Sequence, residues 1–188
     1  MTTPTLSLPL LCHPATPCPL ALNLSVTLDW QIDGLVLRYE VTGQVDGIRL
    51  PPTAPPGPAD GLWQHTCLEA FVSPVLAAHY RELNFSPSQQ WAAYCFSAER
   101  QRDVDAETCR PAQPDIQITH RPQRLELRAT LPEAALPPGP RLCLGLSAVI
   151  ETQGGHLSYW ALQHPRAERP DFHHRGGWRE LPRLAPTA

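Results

Sequence analysis

The stretch Leu24–Val41 reads LSVTLDWQI-DG-LVLRYEV and contains the strongest structural signal in the chain. Its first part, Leu24–Ile32, alternates apolar and polar residues, which is typical of a β-strand with one buried face. Leu35–Val41 is a second extended run, and Asp33-Gly34 separates the two. An Asp-Gly pair between two such runs predicts a tight β-hairpin turn. The stretch therefore predicts antiparallel β-structure.

Further runs with strand character follow along the chain. They are Thr66–Val72, Tyr80–Ser86, Trp91–Phe96, Ile116–Thr119, Arg124–Leu131, Arg141–Glu151 and Leu157–Leu162. Gly154-Gly155 predicts a second hairpin between the last two runs, and Trp178–Leu181 is a candidate edge strand. About nine or ten strands with frequent turn signals predict an all-β fold, an antiparallel β-sandwich of jelly-roll-like type.

Composition narrows the class of protein. The chain has 188 residues, 23 Pro and a net charge of −3 with His neutral. Because proline breaks helix interiors, this density argues against a mainly helical fold. All 15 basic residues are Arg, and the composition suggests a GC-rich bacterial genome. An acidic chain lacks the basic field of a nucleic-acid-binding protein, so we expect no nucleic-acid partner.

Length predicts one domain over residues 1–188, with an N-terminal extended segment at 1–22 and an irregular C-terminal segment at 164–188. No apolar run reaches the roughly 18 residues of a membrane span, so we expect no membrane partner. The N-terminus lacks basic residues and is interrupted by prolines, so it does not resemble a signal peptide. We therefore predict a cytoplasmic protein whose six cysteines are reduced thiols. The stretch Ser97–Pro114 is expected to be a long loop.

Polar side chains gather on one predicted sheet face. Because alternate residues of a strand point to opposite faces, Glu69, Glu82, Asn84 and Glu151 share the side away from the core. Trp63, Trp91 and Trp160 lie in or beside neighbouring strands. Carboxylates and amides bind sugar hydroxyls, and aromatic rings pack on the C–H faces of sugars. The pattern indicates a carbohydrate-binding surface, with a plain solvent-exposed face as the alternative.

Several phrases carry a family resemblance. They are LWQHTCLEAFVSP (Leu62–Pro74), YRELNFSPSQQWAAYCF (Tyr80–Phe96), GLSAVIE (Gly145–Glu151), SYWALQHP (Ser158–Pro165) and RPDFHH (Arg169–His174). Together they resemble the DOMON-like proteins of bacteria, which are similar to carbohydrate-binding modules of family 9. The resemblance extends over most of the chain and implies a β-sandwich that binds either a sugar or haem.

The resemblance also implies site residues. In the sugar-binding relatives, one Trp precedes a strand that carries a Glu, and a second Trp from a late segment completes a sandwich around the sugar. Trp63 and Glu69 match the first two positions, and Glu82 and Asn84 match polar positions of the next strand. Trp160 is the candidate second indole, with Trp91 or Trp178 as alternatives. No residue here is identified as the counterpart of the arginine that grips sugar hydroxyls in the relatives.

The C-terminal phrase HPRAERPDFHH offers a different hypothesis. His164, Asp171, His173 and His174 are weak candidates for metal ligands, since imidazole and carboxylate suit transition metals. Haem-binding relatives use Met and His as axial ligands, but the only Met is Met1, which leaves ligation by two histidines. We predict no cofactor and keep a haem- or metal-binding module as the alternative function.

Two further alternatives concern activity and partners. Glu69, Glu82 and Glu151 could supply the paired carboxylates of a glycosidase, but no nucleophile with its base is recognisable. We predict a non-catalytic protein that binds a mono- or oligosaccharide, in which Trp63 stacks on the ring and His65 lines the pocket. A protein-interaction module that uses the aromatic face is the remaining alternative, and the sequence names no protein partner.

Overall fold

The computed structural model describes residues 6–109 and 113–183. Within these residues the chain forms thirteen β-strands, one short α-helix and short 3-10 turns. The strands are β1 (Leu6–Cys12), β2 (Leu22–Gln31), β3 (Gly34–Gly43), β4 (Gly57–Pro58), β5 (Cys67–Pro74), β6 (Tyr80–Phe85), β7 (Gln90–Ala98), β8 (Gln101–Arg102), β9 (Asp115–Arg121), β10 (Arg124–Pro132), β11 (Arg141–Glu151), β12 (Leu157–Ala161) and β13 (Arg179–Pro182). The helix, α1, spans Val104–Cys109.

The strands form one continuous curled sheet. Its order is β4-β7-β6-β5-β11-β12-β1-β2-β3-β10-β9, with β13 beside β11 and β8 beside β7. Strand β1 links the two halves, because Leu6–Leu10 pair with β2 whereas Leu11 and Cys12 pair with β12. The described pairings are antiparallel except for the short parallel contact of β4 with β7. The all-β prediction is confirmed. The predicted sandwich of nine or ten antiparallel strands is not what forms, because the structure has thirteen strands in one mixed, half-barrel-like sheet.

The β2–β3 hairpin forms as the sequence predicts, but its turn lies one residue earlier than Asp33-Gly34. Gln31 pairs with Gly34, so Ile32 and Asp33 form the turn, and Ile32 is 83% exposed and not on the buried face. In β2 the apolar residues at alternate positions are buried, and the polar residues between them are partly or fully exposed. A side chain at position 34 could not fit, because a Cβ there would lie 1.9 Å from the carbonyl oxygen of Leu131 on β10. Glycine at position 34 therefore permits β10 to pack close to the β2–β3 turn.

The main hydrophobic core lies between the two halves of the curled sheet. It combines apolar side chains of β2, β3 and β10 with those of β5, β6 and β11. Tyr39 on β3 crosses the interior, and its hydroxyl donates to the backbone oxygen of Glu69 on β5 at 2.7 Å. A second cluster covers the outer face of β5, β6 and β7. It contains Phe71, Tyr80, Ala92, Tyr94 and Phe96.

Structure departs from sequence expectation mainly in the short elements. The predicted loop Ser97–Pro114 contains β8 and α1, and β1 and β4 form in proline-rich stretches for which the sequence predicted no strand. The edge strand expected at Trp178–Leu181 forms one residue later, as β13. No helix in the described part of the chain is both long and apolar enough to cross a membrane.

Candidate functional site

A cavity of about 1280 Å³ opens on the outer face of β5, β6 and β7, the side away from the main core. The strands contribute buried side chains to its floor, and loops build its rim. Lining residues include Glu69, Phe71, Glu82, Tyr94 and Phe96 from the strands and Trp63, His65, Arg100, Arg102, Phe172 and His173 from the loops and β8. Strand alternation produces this arrangement, because Leu68, Ala70 and Val72 point into the core while Glu69 and Phe71 point out.

Two carboxyl groups lie at the floor. Glu69 is 2% exposed and Glu82 is 6% exposed. Asn84 is directly opposite Glu69 in the β5–β6 register, and its Nδ2 donates to Glu82 Oε1 at 2.9 Å. Ser147 on β11 donates to Glu69 Oε2 at 3.3 Å. The structure thus brings together three residues that the sequence placed on one face.

This environment changes the acidity of the pair. Burial, together with the charge of Glu82, raises the pKa of Glu69 well above its usual range, despite the hydrogen bond from Ser147. Burial also raises the pKa of Glu82 to about 7, opposed by the hydrogen bond from Asn84 and by nearby arginines. Two neighbouring carboxyls in a poorly solvated site cannot both ionise easily. The pair therefore retains a proton near neutral pH.

A hydrogen-bonded chain supports the floor from the C-terminal segment. The backbone N–H of Arg100 donates to the Tyr80 hydroxyl at 3.0 Å, and that hydroxyl lies 2.7 Å from His173 Nδ1. Burial lowers the pKa of His173 to about 4, so the ring is neutral at pH 7. Tyr80 then donates to Nδ1, which leaves the ring proton on Nε2, 3.6 Å from Glu82 Oε2. His173 thus presents an N–H toward Glu82.

The rim carries the exposed indole. Gly61, with φ of 72°, starts the short 3-10 turn Leu62–Gln64, and Trp63 on this turn is 50% exposed. His65 follows the turn, and its Nδ1 lies 2.8 Å from Glu151 Oε2. Because Arg49 donates to the other oxygen of Glu151 at 3.0 Å, the His65 ring is held in place at the cavity wall.

The sequence prediction missed many of the lining residues, among them Asp60, Tyr94, Arg100 and Arg102. The Tyr94 hydroxyl donates to Asp60 Oδ1 at 2.9 Å, and the Arg102 guanidinium lies 4.5 Å from the centre of the Tyr94 ring. Arg102 also donates two hydrogen bonds of 2.9 Å to Glu107. Arg100 donates to Asp171 at 2.7 Å. Alternation along β7 could have found Tyr94, whereas Asp60, Arg100 and Arg102 carry no periodic signal.

Two predicted site tryptophans lie elsewhere. Trp160 is 6% exposed within the main core, and its Nε1 donates to Ser158 Oγ at 3.0 Å. Trp91 is partly buried against the same core. The prediction that Trp160 or Trp91 packs on the ligand is therefore wrong, because both indoles pack against the main core. Trp178 packs on Phe71 at 5.7 Å and is not among the residues that line the cavity.

The histidine-rich phrase does not assemble into a ligand set. His164 Nε2 contacts the Leu11 carbonyl at 2.7 Å, and His174 Nδ1 accepts from the backbone N–H of Gly176. Asp171 forms ion pairs with Arg100 and Arg166. With His173 bound to Tyr80, each candidate has a partner within the protein, and residues 6–109 and 113–183 contain no group of three potential ligands. The hypothesis of a metal site in this phrase is therefore corrected.

No protein-family model matches the chain, and no curated protein matches it significantly. Solved structures do match over nearly the whole length. One, from Bacteroides uniformis ATCC 8492 and described as carbohydrate-binding, is 18% identical with a TM-score of 0.64, covering 94% of this chain and 85% of that chain.

Two further matches are structures of a family 9 carbohydrate-binding module from Caldicellulosiruptor kristjanssonii. The complex with cellotriose has a TM-score of 0.59 at 9% identity and covers 93% of this chain and 82% of that one. The complex with glucose has a TM-score of 0.58 at 10% identity and covers 92% and 83%. At these identities the likeness establishes the fold, and the chain therefore has the fold of family 9 carbohydrate-binding modules.

Proposed function

We propose that this protein binds a mono- or oligosaccharide in the cavity on the outer face of β5, β6 and β7. The observation that carries the proposal is the composition of this cavity: a half-exposed indole, Trp63, lines it together with the buried carboxyls of Glu69 and Glu82. An apolar ring combined with a few polar groups at the base of a cleft suits a ligand with C–H faces and hydroxyl edges. The sugar complexes among the structures of the same fold support the same ligand class.

Each lining group has a distinct role in this proposal. Trp63 packs on a sugar face, and Glu82 accepts hydroxyl hydrogen bonds at the floor. Asn84 is fully buried and donates to Glu82, so it positions the carboxyl. Arg100 and Arg102, each partly exposed, offer N–H donors to ring or hydroxyl oxygens. In this proposal Arg100 and Arg102 replace the arginine that binds sugar hydroxyls in the relatives, for which the sequence analysis identified no counterpart.

The size of the cavity favours more than one sugar ring. Small-molecule pockets commonly enclose about 300–1,000 Å³, and this cavity measures about 1280 Å³. An open cleft of this size has room for a ring beside Trp63 and a second one nearer the floor. We therefore favour an oligosaccharide, or the end of a longer glycan, as the occupant.

The placement of the acids supports binding without catalysis. Glu69 and Glu82 lie on adjacent strands of one sheet face, so both reach the ligand from the same side. Glycoside hydrolysis requires carboxyls that flank the scissile bond. We accordingly propose a binding protein whose ligand leaves chemically unchanged.

Titration with glucose, cellotriose and a glycan panel tests the proposal, with tryptophan fluorescence as the readout. We expect a bound saccharide to change the emission of Trp63. Trp63→Ala should weaken binding by about 1–3 kcal/mol, the loss expected for a stacked aromatic contact. Trp91→Phe, which alters an indole packed against the core, is the matched control and should retain binding. Absence of any saccharide binding, or unchanged affinity in Trp63→Ala, would contradict the proposal.

A further inference from the structure

The floor of the cavity is rich in hydrogen-bond acceptors. Glu69 and Glu82 line it. Behind the lining, the fully buried Asn84, opposite Glu69 in the β5–β6 register, has an Oδ1 atom without a hydrogen-bond partner among the described residues. The donors that reach the two carboxyls are Ser147, the Nδ2 of Asn84 and, at 3.6 Å, His173 Nε2. None of these donors carries a positive charge at pH 7, because burial lowers the pKa of His173 to about 4.

The nearby arginines do not neutralise this pair directly. Arg100 is bound to Asp171 at 2.7 Å, and Arg102 is bound to Glu107 through two hydrogen bonds. Their charge is thus matched by carboxylates outside the floor. Arg100 and Arg102 thus form their ion pairs with Asp171 and Glu107, and not with Glu69 or Glu82. The floor therefore lacks a cation of its own.

A primary ammonium has the chemistry that the floor lacks. It carries three N–H donors and no acceptor, whereas a sugar hydroxyl has one donor and must also satisfy its own lone pairs. A positive charge next to buried carboxyls favours their ionised form and offsets the cost of burying them. The rings of Phe71 and Phe96 line the same cavity, and aromatic faces attract cations.

We infer that the saccharide recognised by this cavity contains an amino sugar, with its ammonium group at the Glu69–Glu82 floor. This inference rests on the proposed function, and it adds the ligand class. A neutral saccharide fills the same space but leaves the proton on the carboxyl pair, because it brings no positive charge that favours the ionised form. The chain then prefers the charged amine over its uncharged analogues by a factor set by charge-assisted hydrogen bonds.

Calorimetric titration of the full chain with three matched sugars tests the inference. The probes are 2-amino-2-deoxyglucose, 2-acetamido-2-deoxyglucose and glucose, at pH 6.5, where an amine with an ordinary α-amino pKa of about 8 is charged. We expect the amine to bind about tenfold or more tightly than either neutral sugar, as for hydrogen bonds to charged groups. Repeating the titration in buffers of different ionisation enthalpy should reveal proton release with the amine and none with glucose.

Variants assign the effect to the floor. Glu69→Gln/Glu82→Gln keeps the shape of both side chains and should lower the amine-to-glucose affinity ratio toward one. Asp115→Asn removes a carboxylate on β9, outside the cavity lining, and should preserve the ratio. If the double variant does not fold, proton release on binding of the amine by the unmodified protein still tests the inference.

The outcomes separate the two proposals. Saccharide binding that depends on Trp63, but with amine and glucose affinities within about twofold and no proton release, would overturn the amino-sugar inference and leave the proposed function standing. Failure of all three probes and of the glycan panel would overturn both.

Discussion

Strands β5 and β6 have two faces that are equally buried and chemically opposite. Leu68, Ala70 and Leu83 on one face belong to the apolar core, whereas Glu69 and Glu82 on the other face lie at the cavity floor. Burial of the first set contributes hydrophobic stabilisation. Burial of the second set is costly, and its polar groups are only partly satisfied. The outer face therefore keeps buried polar groups that lower the stability of the fold, which is typical of a binding site.

The largest effect should come from the core face. Leu83→Ala removes a fully buried side chain and should lower the free energy of unfolding by about 2–5 kcal/mol, through lost burial and the cavity it leaves. Urea denaturation measures this change. Leu76→Ala is the matched control, because Leu76 is 99% exposed and its loss should matter by less than about 0.5 kcal/mol. Similar losses of stability in the two variants would contradict the assignment of Leu83 to the core.

The cavity face should reveal itself through pH. Since folding raises the pKa of Glu82 from 4.5 to about 7, the folded state binds more protons than the unfolded state between these values. The contribution of Glu82 is fully present below pH 4.5 and is lost as pH rises through 7, a loss of about 3 kcal/mol. Glu82→Gln should therefore be more stable than the unmodified protein at pH 8 and similar to it at pH 4.5.

Urea denaturation between pH 4.5 and 8 measures this difference. Comparison with Glu82→Gln is needed because His173, whose pKa is lowered to about 4, contributes the opposite slope over the acidic part of the range. Its stability contribution is present above its unfolded pKa and falls as pH drops toward 4. Parallel curves for the protein and the variant would show that Glu82 titrates normally.

A smaller effect should follow from crowding the outer face. A Cβ at Gly145 on β11 would lie 2.5 Å from the ring of Trp178, so Gly145→Ala must displace that indole from Phe71. We expect a loss of about 1–3 kcal/mol, as in overpacked cores, measured by thermal or urea denaturation. Gly154→Ala is the matched control, since its Cβ would meet only Thr152 Oγ1 at 3.8 Å. Equal stability of both variants would contradict this packing.

The smallest effect on stability should come from Trp63. Its side chain is half exposed on the rim, so Trp63→Ala should change the free energy of unfolding by less than about 0.5 kcal/mol. The same denaturation series measures it. A loss of several kcal/mol would mean that the indole supports the fold, and the binding test with this variant would need the milder Trp63→Phe.

Local patterns predicted much of the fold. Alternation and turn residues located the β2–β3 hairpin to within one residue, and the predicted run Arg141–Glu151 coincides with β11. The same alternation placed Glu69, Glu82 and Asn84 on one face. These predictions succeeded because strand period and turn chemistry depend on residues that are neighbours in sequence.

The errors arose where distant parts of the chain meet. The sequence made Trp160 and Trp91 candidates for the site, but the direction in which an indole points depends on where its strand lies in the curled sheet. Arg100 and Arg102 reach the cavity through a turn and a two-residue strand that have no periodic pattern. Whether an aromatic or charged residue in such a segment lines the cavity depends on which strands the folded sheet places beside it.

The sequence by itself determined an all-β chain, its main strands and the polar identity of one strand face, because these follow from short-range backbone geometry and the partition of apolar side chains. Only the tertiary structure decided that this face is covered and enclosed. Loops far apart in the chain, including those with Trp63 and His173, converge over β5 and β6. Their convergence removes water from two carboxyls, and that desolvation turns an ordinary polar face into a candidate binding site.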